Sequence, residues 1–341
     1  MAERPPVEML ITLPLDNNLL EKIRQVSPFL KITQIVSRKV DEIPAEVLAK
    51  TEILYTDIVL PLETEVPNLR WIQFHWAGIE FILESPLLQK KNLKVTSLSG
   101  AAALQMAEYI MLMLLALGHR SQDLYASQLK AEWPRDRWER FMPFELRNST
   151  VGIIGYGSIG REVARLLKPF NAQVLGVKRN VMNPQDEGYT IEGAGDPDGN
   201  LFTRLYPIEA IKSVLKVCDF AVVTLPLTPQ TRGIIGCEEL EAMKPTAYLV
   251  DACRGQVIDQ NALLTTLQEK KIAGAALDVF SEEPLPANSA FWRLSNVIIT
   301  PHISGASPYY DQRAVDLVIE NLKRYFSGEP LLNLFRPELG Y

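Results

Sequence analysis

The 341-residue sequence predicts an α/β protein built on doubly wound parallel sheets with helices on both faces. Three observations point there. Short apolar, β-branched runs alternate with helix-periodic runs from one end of the chain to the other. One such run passes through a glycine-rich turn into an amphipathic helix. Polar residues with chemistry to offer follow the later strands, where open parallel sheets gather their ligands.

Taken in order, "EMLITLPL" reads as a strand and "DNNLLEKIRQVSPFL" as a helix, and "KITQIVS", "EILYTD", "RWIQFHWA" and "KVTSLS" follow as strands. The apolar stretch "AAALQMAEYIMLMLLALG", Ala101 to Gly118, comes next. Gln105 and Glu108 interrupt it, and the run left from Tyr109 is too short to cross a bilayer. A helix apolar on nearly all sides belongs in a core or a subunit contact, and this one reads as buried. Strands resume with "TVGIIG", "QVLGV", "DFAVVTLP", "AYLVDA", "AGAALDVF" and "NVIITP". "NPQDEGYTIEGAGDPDGN", residues 183–200, is crowded with Gly, Asp and Pro; a loop this long is either functional or a mobile insertion, and its composition favours the insertion.

A net charge of −6 offers no attraction to nucleic acid or to an anionic membrane, so neither is expected as a partner. The three cysteines form no CxxC spacing and cannot all pair, which suits a reducing, cytoplasmic setting. The opening "MAERPPVEML" lacks the basic-then-apolar pattern of a signal peptide. No metal site is expected.

In "TVGIIGYGSIGREVARLLKPF", Gly155, Gly157 and Gly160 have GxGxxG spacing. That spacing alone is weak. Here it follows an apolar strand and opens a helix whose Ile159, Val163, Leu166, Leu167 and Phe170 share one face. The glycines permit a tight turn and close approach of the backbone to a pyrophosphate, which the free N–H groups of the helix start would bind. This is the turn of a Rossmann domain, with Tyr156, Ser158 and Ile159 completing the cradle. The next strand, "QVLGV", ends on Lys178 and Arg179, where an adenosine ribose would usually meet a carboxylate. Two bases there would attract a 2′-phosphate, so the expected coenzyme is NADP(H), with NAD possible. The plainer reading is two solvated bases at a strand end.

Three later loops carry the chemistry. "LVDACRGQVID" puts Arg254, "AALDVFSEEPLP" puts Glu283 and "NVIITPHISGAS" puts His302 just past a strand. Together with "GYGSIG" and "LPLTPQTRGIIG", in order across most of the chain, these segments resemble the D-isomer-specific 2-hydroxyacid dehydrogenase family. The resemblance implies a discontinuous, flavodoxin-like substrate domain, 1–101 with 303–341, and a Rossmann domain over 102–302. It implies a homodimer that uses the buried "MLMLLAL" helix, a small 2-oxo or 2-hydroxy acid as substrate, and glyoxylate or hydroxypyruvate as representative acids. It assigns His302 as acid–base catalyst, Glu283 as its partner and Arg254 as substrate binder. It also sets Leu225, Pro226, Thr231, Ala252 and Cys253 beside the coenzyme, and Asp278 at the nicotinamide amide.

Side-chain chemistry agrees independently. Reducing a 2-oxo acid needs a proton for the oxygen as hydride reaches the carbon, and histidine gives and takes protons near neutral pH. Of three histidines, His119 in "LALGHRS" reads as a helix-end residue and His75 in "FHWAGIE" as a satisfied core residue near the substrate loop. His302 alone stands in a strand-end loop beside other candidates. Arg254 offers a planar fork of donors for a carboxylate. "WAGIE" places Ala77, Gly78 and Ile79 either in a bare glycine turn or where their N–H groups hold the substrate carboxylate. Cys253 reads as a packing residue rather than a nucleophile. Two alternatives remain. Formate dehydrogenases share much of the pattern but carry glutamine where Glu283 stands, having no proton to shuttle. The C-terminal-binding-protein corepressors share the fold and the three residues, and sense coenzyme.

Overall fold

A computed structural model describes residues 5–340; the first four residues of "MAERPPVEML" and Tyr341 lie outside them. The chain forms two compact units, Met1–Ala102 with Ser307–Tyr341, and Ala103–Ala306.

The first unit holds strands β1 (Val7–Ile11), β2 (Leu30–Gln34), β3 (Ile53–Thr56), β4 (Trp71–Phe74) and β5 (Lys94–Thr96). They lie parallel in the order β2-β1-β3-β4-β5, the flavodoxin-like arrangement. Every residue of β3 and β4 is buried, and both read as mostly apolar runs in which Thr56 and Gln73 are the polar members. The helix Asn17–Arg24 starts where the Asp16 carboxylate accepts from the Leu19 N–H at 2.9 Å, and it buries Leu19, Leu20 and Ile23. The end of the chain returns here. Thr96 bridges Leu334, the Phe335 N–H reaches the Val95 carbonyl at 2.8 Å, and the Phe335 ring joins the core of Leu10, Leu54 and Ile72.

The second unit holds β6 (Thr150–Ile154), β7 (Gln173–Val177), β8 (Arg204–Tyr206), β9 (Phe220–Val223), β10 (Tyr248–Asp251), β11 (Gly274–Leu277) and β12 (Val297–Ile299). All pairs are parallel, in the order β12-β11-β10-β9-β6-β7-β8. Strand order reverses between β6 and β9, a switch point where ligands bind in doubly wound sheets. The helix Ala103–Gly118 buries Ile110, Leu114 and Leu117 in the core of this unit, and each such side chain contributes about 1.5–3 kcal/mol. Among the described residues, no helix is long and apolar enough to cross a membrane.

Two features depart from expectation. β8 is an edge strand of three residues, Arg204 exposed and Leu205 and Tyr206 half-buried, too short to stand out in the sequence. Residues 183–200 form no helix or strand, yet they are not a loose insertion. Asp196 is buried, and its carboxylate accepts from the Asn200 and Leu201 N–H groups at 2.9 and 3.0 Å.

Candidate functional site

The glycine turn follows β6. Gly155 has φ +114°, and a Cβ there would stand 2.7 Å from the Thr224 carbonyl carbon, so only glycine fits. At Gly160 a Cβ would meet the Gly155 oxygen at 2.5 Å, which fixes how closely the helix Ser158–Leu167 packs on the turn. At Gly157 a Cβ would meet nothing within 4 Å, so the space outside the turn is open. The N–H groups of Ser158, Ile159 and Gly160 open the helix and have no intrahelical acceptor. Open space, first-turn donors and a bare backbone fit a dinucleotide pyrophosphate. Tyr156 faces the other way. Its ring is buried and its hydroxyl donates to Asp196 at 2.8 Å, with burial and that carboxylate raising its pKa.

Lys178 and Arg179 end β7 differently from one another. Arg179 is exposed. Lys178 is half-buried, and its Nζ donates to the Asn183 carbonyl at 2.6 Å. Burial, then the charge of Arg161, lowers the pKa of its ammonium.

The loop after β9 leaves Pro226 exposed and Leu225 buried. The Thr231 hydroxyl is turned inward, donating to the Pro226 carbonyl at 2.6 Å and so closing the loop on itself. After β10, Ala252 is buried and the Cys253 thiol donates to Asp251 Oδ1 at 3.0 Å. Burial, then Asp251, pushes that thiol well above its ordinary range, which makes it a packing group.

Arg254, Glu283 and His302 all belong to the second unit, on loops that leave β10, β11 and β12. His302 Nδ1 lies 2.7 Å from Glu283 Oε2, and Glu283 Oε1 accepts from the Phe280 N–H at 2.9 Å. The imidazole is thus held at one nitrogen by a carboxylate that its own loop fixes. His302 has φ +52°, a left-handed conformation uncommon for a side chain other than Asn, Asp or His. Gly255 sets the neighbouring loop against this one, since a Cβ there would lie 2.1 Å from the Phe280 carbonyl carbon. Arg254 donates to the Cys253 carbonyl at 2.9 Å. In the first unit, Ala77 is exposed, Gly78 half-buried and Ile79 buried, and the loop runs into a short 3-10 helix, Glu80–Glu84, rather than an α-helix. His75 is a satisfied buried residue, with Nδ1 2.7 Å from the Tyr55 hydroxyl and Nε2 3.2 Å from Asp311 Oδ1. Burial lowers its pKa, and Asp311 pulls the other way. His119 is exposed just past its helix.

The family model for the D-isomer specific 2-hydroxyacid dehydrogenase, NAD binding domain, matches residues 111–304, more than half of the chain. The chain belongs to this family. A glyoxylate reductase of Pyrococcus furiosus is 31% identical over 318 residues, covering 92% of this chain and 89% of its own. A D-3-phosphoglycerate dehydrogenase of Methanocaldococcus jannaschii is 30% identical over 95% of this chain, which spans only 58% of that relative's length. Among solved structures, a D-isomer specific 2-hydroxyacid dehydrogenase of Xanthobacter autotrophicus, in complex with NADPH and MES, superposes with TM-score 0.76 at 26% identity, over 98% of this chain and 100% of that one. The protein is therefore an NAD(P)-dependent oxidoreductase acting on CH–OH donors.

The resemblance sets Asp278 at the nicotinamide amide of this dehydrogenase, but the partners that hold it in the fold, like the burial of Asp251, escape a reading of the sequence. Asp278 is fully buried, and its carboxylate is committed to the loop that carries His302. Oδ1 accepts from the Thr300 hydroxyl at 2.6 Å and the Ile303 N–H at 2.9 Å, and Oδ2 accepts from the Ser304 N–H at 2.9 Å. The helix Ala103–Gly118 braces the same loop, with the Tyr109 hydroxyl 2.6 Å from Thr300 and Gln105 donating to the Gly305 carbonyl at 2.8 Å. Gln105, which interrupts the apolar stretch, thus has a local reason to be polar. Asp251 is fully buried with Oδ2 unpartnered among the described residues, and burial pushes its carboxyl up to about 7.

Proposed function

We propose that this dehydrogenase reduces a small 2-oxo acid of the glyoxylate or hydroxypyruvate kind, with NADPH as its preferred coenzyme. The observation that carries the reading is the 2.7 Å pair of His302 and Glu283 beyond the last strands of the sheet. When bound, a reduced nicotinamide supplies the hydride for C2. His302 holds its Nδ1 proton on Glu283, which leaves Nε2 to deliver a proton to the 2-oxygen as the C–H bond forms. Arg254 binds the acid through its guanidinium fork. The backbone of Ala77, Gly78 and Ile79 holds the substrate carboxylate. Asp278 acts through the loop, fixing where His302 stands.

The coenzyme preference rests on the bases that end β7. Arg179, exposed there, is the first partner for a 2′-phosphate, and Lys178 stands behind it on the Asn183 carbonyl. A homodimer is supported by Leu112, Leu124, Tyr125, Leu129, Trp133, Trp138 and Met142, all exposed within the single stretch 112–142.

Steady-state oxidation of NADPH and NADH against a panel of 2-oxo acids tests the reading. Turnover of a small 2-oxo acid, faster with NADPH, is expected. Tight coenzyme binding without turnover of any acid would instead favour a coenzyme-sensing protein. A formate dehydrogenase is disfavoured by Glu283, whose carboxylate serves a proton shuttle that formate oxidation lacks.

A further inference from the structure

Residues 183–200 take no part in the reaction just described, yet they close over two charged side chains of the helix after the glycine turn and bury one of their own. Arg161 and Glu162 are 1% exposed and Asp196 is 2% exposed. Arg161 Nη1 donates to the Asp196 carbonyl at 2.6 Å, and Nη2 to the Pro184 and Gln185 carbonyls at 2.6 and 3.1 Å. The Asp186 and Asp196 carboxylates lie 3.6 and 3.9 Å from the same guanidinium, which rests 5.1 Å from the centre of the Tyr156 ring. Glu162 Oε2 accepts from the Gly195 N–H at 2.6 Å. The segment is therefore riveted to the helix that opens at the glycine turn.

The same segment also receives Lys178, through the Asn183 carbonyl at 2.6 Å. Two cations thus spend their N–H groups on three successive carbonyls, 183 to 185. A neutral carbonyl is a weaker partner for an ammonium than a phosphate is. Arg161 has several acceptors and no room to leave, whereas Lys178 is held by the Asn183 carbonyl and lies at the strand end. The charges around Lys178 are Arg161, which repels it, and Asp186 and Glu187, which attract it.

We infer that residues 183–200 are the wall that selects the coenzyme at its 2′-phosphate, storing Lys178 on the Asn183 carbonyl, and that Asp196 is the residue that positions this wall. The inference rests on the NADPH reading above. The Asp196 carboxylate holds the far end of the segment through Asn200 and Leu201, faces Arg161 Nη1 at 3.9 Å, and holds the glycine turn through the Tyr156 hydroxyl. Without it, the segment whose Asn183 carbonyl holds Lys178 loses an anchor. NADH has no group to draw Lys178 away, so its binding is insensitive to the wall.

The test uses the full chain, without and with NADPH or NADH, in the parent, Asp196→Asn and Tyr156→Phe. Dissociation constants come from fluorescence quenching, and hydrogen exchange is followed in peptides covering 180–201. In the parent, NADPH should change exchange around 183–187 and NADH should not. Asp196→Asn should weaken NADPH by about tenfold or more, the scale of one charge-assisted hydrogen bond, and NADH by less than about threefold. Tyr156→Phe deletes only one hydroxyl, keeps the test alive if Asp196→Asn does not fold, and should show the same selectivity at smaller size. Equal losses with both coenzymes, no loss with either, or the same exchange response to both, overturns the inference. A parent that does not prefer NADPH overturns the coenzyme reading and this inference with it. A parent that prefers NADPH, loses it selectively in Arg179→Ala but not in Asp196→Asn, overturns the inference alone.

Discussion

His302 combines a left-handed backbone, a carboxylate on Nδ1 and a loop pinned by Asp278. If it gives the proton, His302→Ala should lower kcat/KM for the oxo acid by about 10²–10⁴ while the coenzyme dissociation constant stays unchanged. Stopped-flow reduction and coenzyme titration of the same preparation check this, and a rate loss that tracks lost coenzyme binding would remove His302 from the chemistry. Arg179→Ala should weaken NADPH by about tenfold to a hundredfold and leave NADH nearly unchanged, as competition titrations would show. Asp251 gives a pH prediction. Its folded carboxyl titrates at about 7, above the ordinary carboxylate value, so the native state keeps a proton that the unfolded chain has lost. Stability from that proton is whole at acid pH, declines as pH rises from about 4, and is gone above the folded pKa. Asparagine mimics the protonated acid without titrating. Asp251→Asn should therefore match the parent near pH 4 and exceed it by up to about 4 kcal/mol near pH 8, read from denaturant melts. A constant gap across that range would show that Asp251 is ionised throughout. The placement of Arg254, Glu283 and His302 in strand-end loops was legible because each follows an apolar strand inside a family segment. Asp278 was named through the resemblance alone, and neither its partners nor the burial of Asp251 and Asp196 was legible. An acid after a strand reads as solvated, and the donors that bury Asp278 sit more than twenty residues away.

At the scale of elements, the strands that read clearly are the ones covered on both faces, because their runs are apolar without alternation. β8 lacks that cover and was missed. Residues 183–200 were misread for a related reason: Gly, Asp and Pro usually mark solvated turns, and nothing in the local sequence reveals that Arg161 and Glu162 bury their charges against them. The apolar helix was legible as buried, and its two polar interruptions turned out differently, with Gln105 bonded to the Gly305 carbonyl and Glu108 exposed. Gly255 makes a test of how the loops are set. Any side chain there must push the Phe280 backbone away, which moves the strand-end loop that ends in Glu283. Gly255→Ala should cost about 1–3 kcal/mol in stability, the usual penalty for overpacking, and lower kcat/KM for the oxo acid while NADPH still binds. Thermal melts and single-turnover kinetics would show it. Unchanged kinetics would mean that the two loops tolerate separation and that their contact serves stability alone.

For the whole molecule, the two sheet orders follow from a chain of parallel strands joined by crossovers, and both classes of sheet were legible from that alternation. Which surfaces meet a partner was less so. The run "MLMLLAL" was the expected dimer contact, yet Met111, Met113, Leu114 and Leu117 are consumed by the core of the second unit, leaving Leu112 outside. The exposed apolar groups lie further on, with Leu129 70% and Trp133 85% exposed. Large aromatic and aliphatic side chains left in water at that density support the proposed homodimer, in which a closed two-fold contact would bury one such stretch from each copy. Leu129→Glu with Trp133→Glu should then convert a species of twice the 38.3 kDa chain mass into one of the chain mass, read by sedimentation velocity at micromolar concentration. The cores of both units are untouched by these changes, so circular dichroism should stay the same, and coenzyme binding should survive. A parent that already sediments at the chain mass would assign the stretch to a different partner. A parent dimer that ignores both substitutions would move the contact away from residues 112–142.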